Sequence, residues 1–298
     1  MRKNKTILDD STLIPTKAEP ELIWRDESNL QIDGVHYLLT CDPGIYQREH
    51  ATPGSFILVK GKHMVLWACD IARHHRTEKI FEMGILHGGS VALNEQIFNP
   101  SRLLAIDLNP VPVRALTEHI AGRDKAEVIR PRYGVSQADR PSIEALLDAE
   151  FPHRDIDLIL DDASHLYDET RAAFNISFPY LAPGGLYVIE DWAWAHWEGE
   201  YWQGEYSPFL EAQSSRVRRW LRLPEKPNKY FPLRGKPALS NLLVELFILS
   251  ASRPDLVENV LVDHNMVIVR KGPSAVTPAR FDIADHCLLR GKKFKAWL

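Results

Sequence analysis

Acidic residues stand at the ends of two mainly apolar runs of the sequence. They are Asp161 and Asp162 after the run IDLIL, and Glu190 and Asp191 after the run LYVI. If these runs are neighbouring parallel strands, about 4.8 Å apart, Asp162, Glu190 and Asp191 meet at one edge of the sheet. Like charges that close force protonation unless a cation neutralises them. Because oxygen ligands favour a hard ion such as Mg²⁺, we predict these three residues as metal ligands.

His165 follows Asp162 by three residues and would stand beside whatever the metal holds. Histidine suits proton abstraction near neutral pH, so we predict His165 as the catalytic general base. Each of these residues also has an ordinary interpretation, because strand-end acids often cap the next helix and a lone histidine is usually a surface or core residue. Convergence of all four on the ligand edge of a sheet favours the catalytic interpretation.

The segment FEMGILHGGS, residues 81–90, ends one predicted strand and opens a helix with small residues where a ligand would approach the backbone. Its glycines are spaced G-x-x-x-G-G, which disfavours a dinucleotide site of the G-x-G-x-x-G kind. Asp107 lies 23 positions after Gly84, near the separation of about 20 at which an acid binds ribose hydroxyls. We therefore predict a nucleoside site; the alternative is that the glycines serve turns and packing and that Asp107 is a helix cap.

Short aliphatic runs alternate with longer amphipathic stretches from Lys79 onward, as in βαβ units with a parallel sheet. The predicted strands are Lys79–Gly84, Arg102–Leu108, Ala126–Pro131, Ile156–Asp162 and Gly185–Asp191. The predicted helices lie near Gly89–Phe98, Val111–Gly122, Arg140–Phe151 and Tyr167–Leu181. Two alternating runs in VENVLVDHNMVIVRKG predict a closing β-hairpin. The fold class is thus α/β, a Rossmann-like doubly wound sheet, mostly parallel, with a terminal antiparallel β-hairpin.

The pattern also predicts the organisation of the chain. Residues 1–60 form an N-terminal extension that caps the substrate or an oligomer contact. Residues 61–272 form the core, with a lid insertion at about 193–236, and residues 273–298 form a C-terminal tail.

Composition is that of an ordinary folded protein, with 298 residues, 45% hydrophobic and 26% charged, and a formal charge of −4. Its three cysteines, Cys41, Cys69 and Cys287, are far apart, which argues against a disulfide framework or a thiolate zinc site. Neither a signal peptide nor a membrane-spanning stretch is evident. We expect a cytoplasmic protein.

The segments GILHGGS, AIDLN, DLILDDASH and LAPGGLYVIEDW resemble the Mg²⁺-dependent sugar O-methyltransferases that tailor macrolide antibiotics, of the mycinamicin and macrocin type, and the related cephalosporin-hydroxylase-like group. The resemblance covers about residues 79–192. It implies the class I methyltransferase fold, S-adenosyl-L-methionine and Mg²⁺ as cofactors, and antibiotic biosynthesis as the setting. It also implies Asp162, Glu190 and Asp191 as ligands and His165 as base. The chain has Ala163 where the family usually has glycine, a change that is tolerated if the backbone there is not left-handed.

The cofactor would bind at the glycine turn and the acids near it. The residues expected to hold the cofactor are Glu82, Gly84, Gly88, Gly89, Ser90 and Asp107. Asp139 could reach the adenine edge or cap the next helix. Asp161 could bind the amino group of the cofactor or support the site from behind.

Aromatic residues crowd the start of the insertion, including Trp192, Trp194 and Trp197, which would form a stacking wall for a sugar, or else a lid or subunit contact. Residues 214–236 contain eight basic residues and one acidic residue, which would bind RNA or an acidic substrate, or form a solvated face.

The leading hypothesis is a Mg²⁺-assisted O-methyltransferase acting on a hydroxyl of a sugar or polyhydroxylated natural product. We expect a small glycosylated acceptor and a homo-oligomer, without nucleic acid or membrane as partner. The alternatives are a metal-independent methyltransferase acting on RNA or another acceptor, a nicotinamide oxidoreductase, and a non-catalytic nucleoside-binding module.

Overall fold

A seven-stranded sheet organises the computed structural model, which describes residues 20–46, 50–197 and 236–294. Its strands are β5 (Lys79–Met83), β6 (Arg102–Asp107), β7 (Ile129–Tyr133), β8 (Ile156–Asp161), β9 (Leu181–Glu190), β10 (Val257–Val262) and β11 (Met266–Lys271). They lie in the order β10-β11-β9-β8-β5-β6-β7, with β11 antiparallel to both of its neighbours. The five strands from β5 to β9 are parallel. The predicted fold class, including the terminal hairpin, is confirmed.

Helices cover both faces of this sheet. They are α2 (Lys62–His74), α3 (Gly89–Phe98), α4 (Arg114–Gly122), α5 (Arg140–Glu150), α6 (Tyr167–Ser177) and α7 (Ser240–Ser252). Alternate residues of each strand enter two separate cores, as the two-residue period of a strand requires. In β5, Ile80 joins the core beneath α2, α3 and α4, whereas Phe81 and Met83 join the core beneath α5, α6 and α7.

Several element boundaries differ from the sequence prediction: β9 begins at Leu181 instead of Gly185 and β7 ends at Tyr133 instead of Pro131. Three other differences have a clear local reason. Strand β7 begins later than predicted because the amides of Val128 and Ile129 both bond to the carbonyl of Lys125 in a turn. Helix α4 begins at Arg114 because the Asn109 side chain accepts from the Val111 amide and holds a turn there. Helix α6 ends at Ser177, after which a 3₁₀ turn spans Phe178–Tyr180.

The described part of the predicted N-terminal extension forms a second, four-stranded sheet. Its strands are β1 (Ile23–Trp24), β2 (Asn29–Ile32), β3 (Val35–Leu39) and β4 (Ser55–Leu58), and the short helix α1 (Pro43–Tyr46) lies between the last two. Tyr37 and Phe56 are fully buried in the core beneath α3, where the Tyr37 hydroxyl donates to Gln96 at 2.6 Å. The chain leaves β4 directly beside the carboxyl edge of the large sheet.

The residues predicted to form a C-terminal tail pack on the other core. Short helix α8 (Ile283–His286) and the hairpin β12 (Leu288–Leu289) and β13 (Lys292–Lys293) follow a 3₁₀ turn at Pro278–Arg280. Phe281, Ile283 and Cys287 are buried there. Among the helices in the described ranges, none has the length and apolar character needed to cross a membrane.

Candidate active site

Strands β8 and β9 are hydrogen-bonded neighbours, with Asp161 in register with Ile189. The acidic residues that follow the two strands therefore meet at the carboxyl edge of the sheet, as the sequence predicts. Asp162, His165 and Asp191 each bring a possible ligand atom to within 4.8 Å of the others. The distance between His165 Nε2 and Asp162 Oδ1 is 3.7 Å. Two carboxylates and an imidazole thus converge on one point.

Two of these three residues have strained backbones. His165 has a φ of 56° and Asp191 a φ of 50°. Both therefore lie in the left-handed backbone region that residues other than glycine rarely adopt. Each is held there by neighbours: Trp194 Nε1 donates to the His165 carbonyl at 2.9 Å, and the Asp191 amide donates to the Asn265 carbonyl at 2.8 Å. Strain of this kind costs about 1–3 kcal/mol per residue and concentrates at functional sites.

Glu190 is not one of these three residues, although it lies beside them at the same edge of the sheet. It shares a face with Val188, beneath α2 and α3, whereas Asp191 lies beyond the end of the strand. On that face the Lys60 ammonium donates to Glu190 Oε2 and, at 2.6 Å, to Asp162 Oδ2. The structure thus places Glu190, predicted as a metal ligand, in contact with a lysine that the sequence prediction missed.

Charge states in this cluster follow from burial and from neighbouring charges. Burial alone would lower the pKa of Lys60, but the carboxylates of Asp162 and Glu190 raise it overall, so the ammonium stays charged. Burial raises the pKa of Glu190, and Lys60 opposes that rise. Burial and the negative charge of Asp162 raise the pKa of Asp191. The carboxylates are therefore crowded, as expected for a site that accepts a cation.

Asp161 supports the loop that carries Asp162 and His165. It is 2% exposed and accepts from Tyr187 OH at 3.0 Å and from Gln137 Nε2 at 3.2 Å. Gln137 in turn accepts from the Ser164 amide at 2.9 Å. Burial raises the pKa of Asp161 to about 7. These contacts agree with the second role that the sequence left open for Asp161, in which it supports the site from behind. Direct contact of Asp161 with the amino group of the cofactor stays a prediction.

The glycine turn after β5 is built by close backbone approaches. A Cβ at Gly84, which has a φ of 101°, would lie 2.1 Å from the Asp162 carbonyl oxygen. A Cβ at Gly89 would lie 2.3 Å from the carbonyl oxygen of Ile57 in β4. Gly88 has a φ of 81° and precedes α3. Glycine at position 84 therefore lets the turn after β5 lie against the loop that carries Asp162. Ala163, which stands where the family usually has glycine, does not have a positive φ, so alanine is tolerated there.

We expect Gly84→Ala to destabilise the protein by about 3 kcal/mol or more, because it adds a steric clash to an unfavourable φ. Gly122→Ala is the matched control, since a Cβ there has nothing within 4 Å. Urea unfolding of the two variants measures the difference. Equal unfolding midpoints would show that the turn can relax.

Asp107 holds the glycine turn in place. Its Oδ2 accepts from the amides of Ile85 and Leu86, each at 2.9 Å, and its Oδ1 accepts from the Asn109 amide at 2.7 Å. Beside it, Leu86 and Leu108 are 58% and 71% exposed. An acid next to exposed apolar side chains suits a nucleoside, whose ribose is polar and whose base has apolar faces.

Glu82 lies beneath the glycine turn and is 1% exposed. It accepts from Asn94 Nδ2 at 3.0 Å and from the Ser90 side chain. These residues, together with Lys60 and Glu190, line an internal cavity of about 30 Å³, which is room for a water molecule. Glu82 and Ser90 thus face this interior cavity, and direct contact with a cofactor stays a prediction for both.

Burial raises the pKa of Glu82 from 4.5 to about 7. Between pH 4.5 and 7 the Glu82 carboxyl is therefore protonated in the folded state and ionised in the unfolded state. Its contribution makes the free energy of unfolding fall as the pH rises through this range. We expect Glu82→Gln to stabilise the ligand-free protein by about 1–3 kcal/mol at pH 8 and to have little effect near pH 4.5. Urea unfolding at both pH values tests this, with Glu118→Gln on the surface of α4 as control. A gain that is independent of pH would contradict it.

The remaining predicted residues lie at the rim. Asp139 caps α5 by accepting from the Ser142 amide at 3.4 Å, and it also accepts from Ser142 Oγ at 2.6 Å. This matches the capping alternative; an adenine contact stays a prediction. Trp192 Nε1 donates to the Asp263 carbonyl at 2.9 Å, and Trp194 is bonded to the carbonyl of His165 as described above. Trp197 is half-buried. Most of the predicted lid, and the basic run 214–236 except Lys236, lies outside the described residues.

Residues 65–192 match a family model described as a methyltransferase domain. That segment runs from α2 to Trp192 and includes the glycine turn, Asp107 and the acidic cluster with His165. Residues 65–192 are therefore similar to a methyltransferase domain, and the predicted resemblance is confirmed.

The chain is 27% identical over 136 residues to the demethylmacrocin O-methyltransferase of Streptomyces fradiae, covering 43% of this chain and 31% of that protein. It is 30% identical over 112 residues to the mycinamicin VI 2''-O-methyltransferase of Micromonospora griseorubida, covering 38% and 25%. A solved structure of the MycE methyltransferase from the mycinamycin biosynthetic pathway, in complex with Mg and SAH, superposes with a TM-score of 0.44 at 20% identity, covering 71% of this chain and 49% of that one. The matched part spans a third or less of the length of the two curated relatives.

Proposed function

We propose that this protein transfers a methyl group from S-adenosylmethionine to a hydroxyl of a glycosylated or polyhydroxylated small molecule. The observation that carries the proposal is the convergence of Asp162, His165 and Asp191 at the carboxyl edge of a methyltransferase domain. Ligands of open parallel sheets bind at this edge. Two further similar proteins support the class of acceptor, because their names specify rhamnosyl tetracenomycin-C and L-olivosyl-oleandolide as the methylated molecules.

The donor set fits a divalent ion such as Mg²⁺. Asp162 and Asp191 offer carboxylate oxygens on the solvent side of the cluster, and neither is fully buried. Hard cations prefer such oxygens and leave their remaining positions to water or substrate. When bound, the ion would fix the acceptor hydroxyl and lower its pKa.

The cofactor fits the neighbouring edge, between the glycine turn and Asp107. Here the exposed side chains of Leu86 and Leu108 would pack against the adenine, and Asp107 would face the ribose. A cofactor held there would supply the methyl group, and β5, which leads into the glycine turn, lies directly beside β8, which leads into the acidic cluster.

Methyl transfer from a sulfonium is an in-line displacement. The acceptor oxygen forms a bond to the methyl carbon while the carbon–sulfur bond breaks, and the electron pair of that bond stays on sulfur. His165 accepts the hydroxyl proton at Nε2, the ring nitrogen nearest Asp162. The Trp194 contact to the His165 carbonyl holds the backbone of the base in place.

The experiment uses S-adenosylmethionine with a labelled methyl group and a panel of glycosides that carry adjacent hydroxyls. With Mg²⁺ present, we expect the labelled methyl group to be attached to a hydroxyl oxygen of a glycoside as a methyl ether. After the Mg²⁺ is removed by a chelator, we expect no labelled product. Transfer at an unchanged rate in chelator would contradict the role of the ion. Calorimetry that detects binding of NAD instead of S-adenosylmethionine would favour an oxidoreductase, and label in RNA would favour the nucleic-acid alternative.

A further inference from the structure

Helix α7 is apolar on its outer face as well as on the face that packs in the core. Its inner leucines, Leu242, Leu246 and Leu249, are fully buried. On the opposite side of the helix, Val244 is 39% exposed and Phe247 is 48% exposed. A helix that is apolar all round is normally covered on all sides. The residues of α7 therefore indicate a partner for its outer face.

The C-terminal hairpin extends this apolar face. The amide of Leu288 in β12 donates to Ser252 Oγ at 3.0 Å, and that hydroxyl donates to the Leu288 carbonyl at 3.1 Å, so β12 lies against the end of α7. Leu288 and Leu289 are 43% and 59% exposed. Two adjoining elements thus expose four large apolar side chains. Apolar side chains exposed together mark an interaction site, whereas single ones do not.

The exposed residues of α7 have the spacing of a seam between paired helices. Val244, Phe247 and Ala251 are exposed at intervals of three and four residues. Such intervals form a narrow stripe of the kind along which two helices pack. Phe247 lies near the middle of the stripe, so a second α7 running in the opposite direction places Phe247 against Phe247 and Val244 against Ala251. The stripe is thus complementary to itself, as a two-fold interface between identical chains requires.

The border of the patch carries charges of both signs. Arg290 and Lys292 are exposed in the hairpin. Asp168 is exposed in the first turn of α6, and the neighbouring Tyr167 hydroxyl donates to Glu245 of α7 at 2.7 Å. A border of one sign would repel a copy of itself, whereas mixed charges let opposite signs meet across the interface. The border therefore favours a second copy of this chain over a strongly charged partner.

We propose that this protein forms a two-fold symmetric dimer through the outer face of α7 and the hairpin of β12 and β13. The two α7 helices run antiparallel, with Phe247 near the axis. The proposal goes beyond methyl transfer and does not depend on it. Two other exposed apolar residues, Leu86 and Leu108, belong to the proposed cofactor site instead.

Sedimentation of the full chain tests the dimer. We expect the unaltered protein to sediment as a dimer, and its midpoint of urea unfolding to rise with protein concentration, because association stabilises the folded state. Phe247→Asp should raise the dissociation constant of the dimer at least about 30-fold, since Phe247 lies at the centre of the interface. Leu66→Asp is the matched control: Leu66 is 49% exposed on α2, and the variant should remain dimeric.

Chemical cross-linking tests the antiparallel arrangement. Phe247→Cys is prepared together with Cys41→Ser, which removes the exposed native thiol; the other two native cysteines are buried. A bifunctional maleimide that spans about 8–10 Å, the distance between the axes of packed helices, should join two copies of this variant. Leu66→Cys in the same background should not be joined.

A protein that sediments as a monomer at every concentration would overturn the proposal. If Phe247→Asp also destabilised that monomer, the outer face of α7 would be covered by another segment of the same chain. A dimer that persists in Phe247→Asp, or that is cross-linked through Leu66→Cys but not through Phe247→Cys, would place the interface elsewhere and would also contradict the proposal.

Discussion

Asp191→Asn should weaken Mg²⁺ binding at least about 100-fold. Removing a residue that only hydrogen-bonds to a metal ligand already lowers metal affinity about 10- to 100-fold, and Asp191 is expected to be a ligand itself. Asparagine keeps the shape of the side chain and tolerates the left-handed backbone at this position, so the fold should be retained. Methyl transfer should fall by at least the same factor at limiting Mg²⁺, while affinity for S-adenosylmethionine changes little. Calorimetry with each ligand separates these effects.

The matched control for Asp191→Asn is Asp168→Asn, the same substitution at an exposed position in the first turn of α6. It should bind Mg²⁺ like the unaltered protein. If Asp191→Asn also kept its affinity, the ion would have to be held elsewhere, and the convergence of the two carboxylates would have another explanation.

His165→Asn should lower the rate of methyl transfer about 100- to 10,000-fold, the usual contribution of a general base. Asparagine again suits the positive φ of this residue. The affinity for S-adenosylmethionine should be unchanged, and the pH–rate profile should lose the acidic limb that protonation of a base produces. Single-turnover rates across a pH series measure both effects.

His74→Asn, at the end of α2, controls for loss of a histidine as such. A His165→Asn variant that retained the original pH profile would show that another group accepts the proton. If the His165→Asn variant lost Mg²⁺ binding as severely as Asp191→Asn, His165 would be identified as a metal ligand instead of the base.

The parts of the site that the sequence predicts are those that depend on strand order. Asp162 and Asp191 each follow an apolar strand, and parallel neighbours bring their carboxyl ends together regardless of side-chain detail. The fold class is predictable for the same reason, because alternating strands and helices allow few arrangements. The glycine turn is also evident from residue types alone, although its close approach to Asp162 is not.

Glu190 and Asp191 are consecutive, and Glu190 lies on the face of β9 that contacts Lys60; its role as a metal ligand stays a prediction. Lys60 could not be placed, because its position depends on how the N-terminal sheet packs on α3. The crowding of acids did indicate a cation, and within the described residues Lys60 places one beside Asp162 and Glu190. For Asp139, the capping role was one of two open alternatives, and only the contact with Ser142 distinguishes it.

The most direct test of the account is anomalous scattering from a crystal grown with Mn²⁺, which accepts the same oxygen ligands as Mg²⁺. We expect one peak at the carboxyl edge of β8 and β9, within bonding distance of the carboxylates of Asp162 and Asp191. An empty edge at saturating Mn²⁺, with Lys60 as the sole cation among the acids, would contradict it.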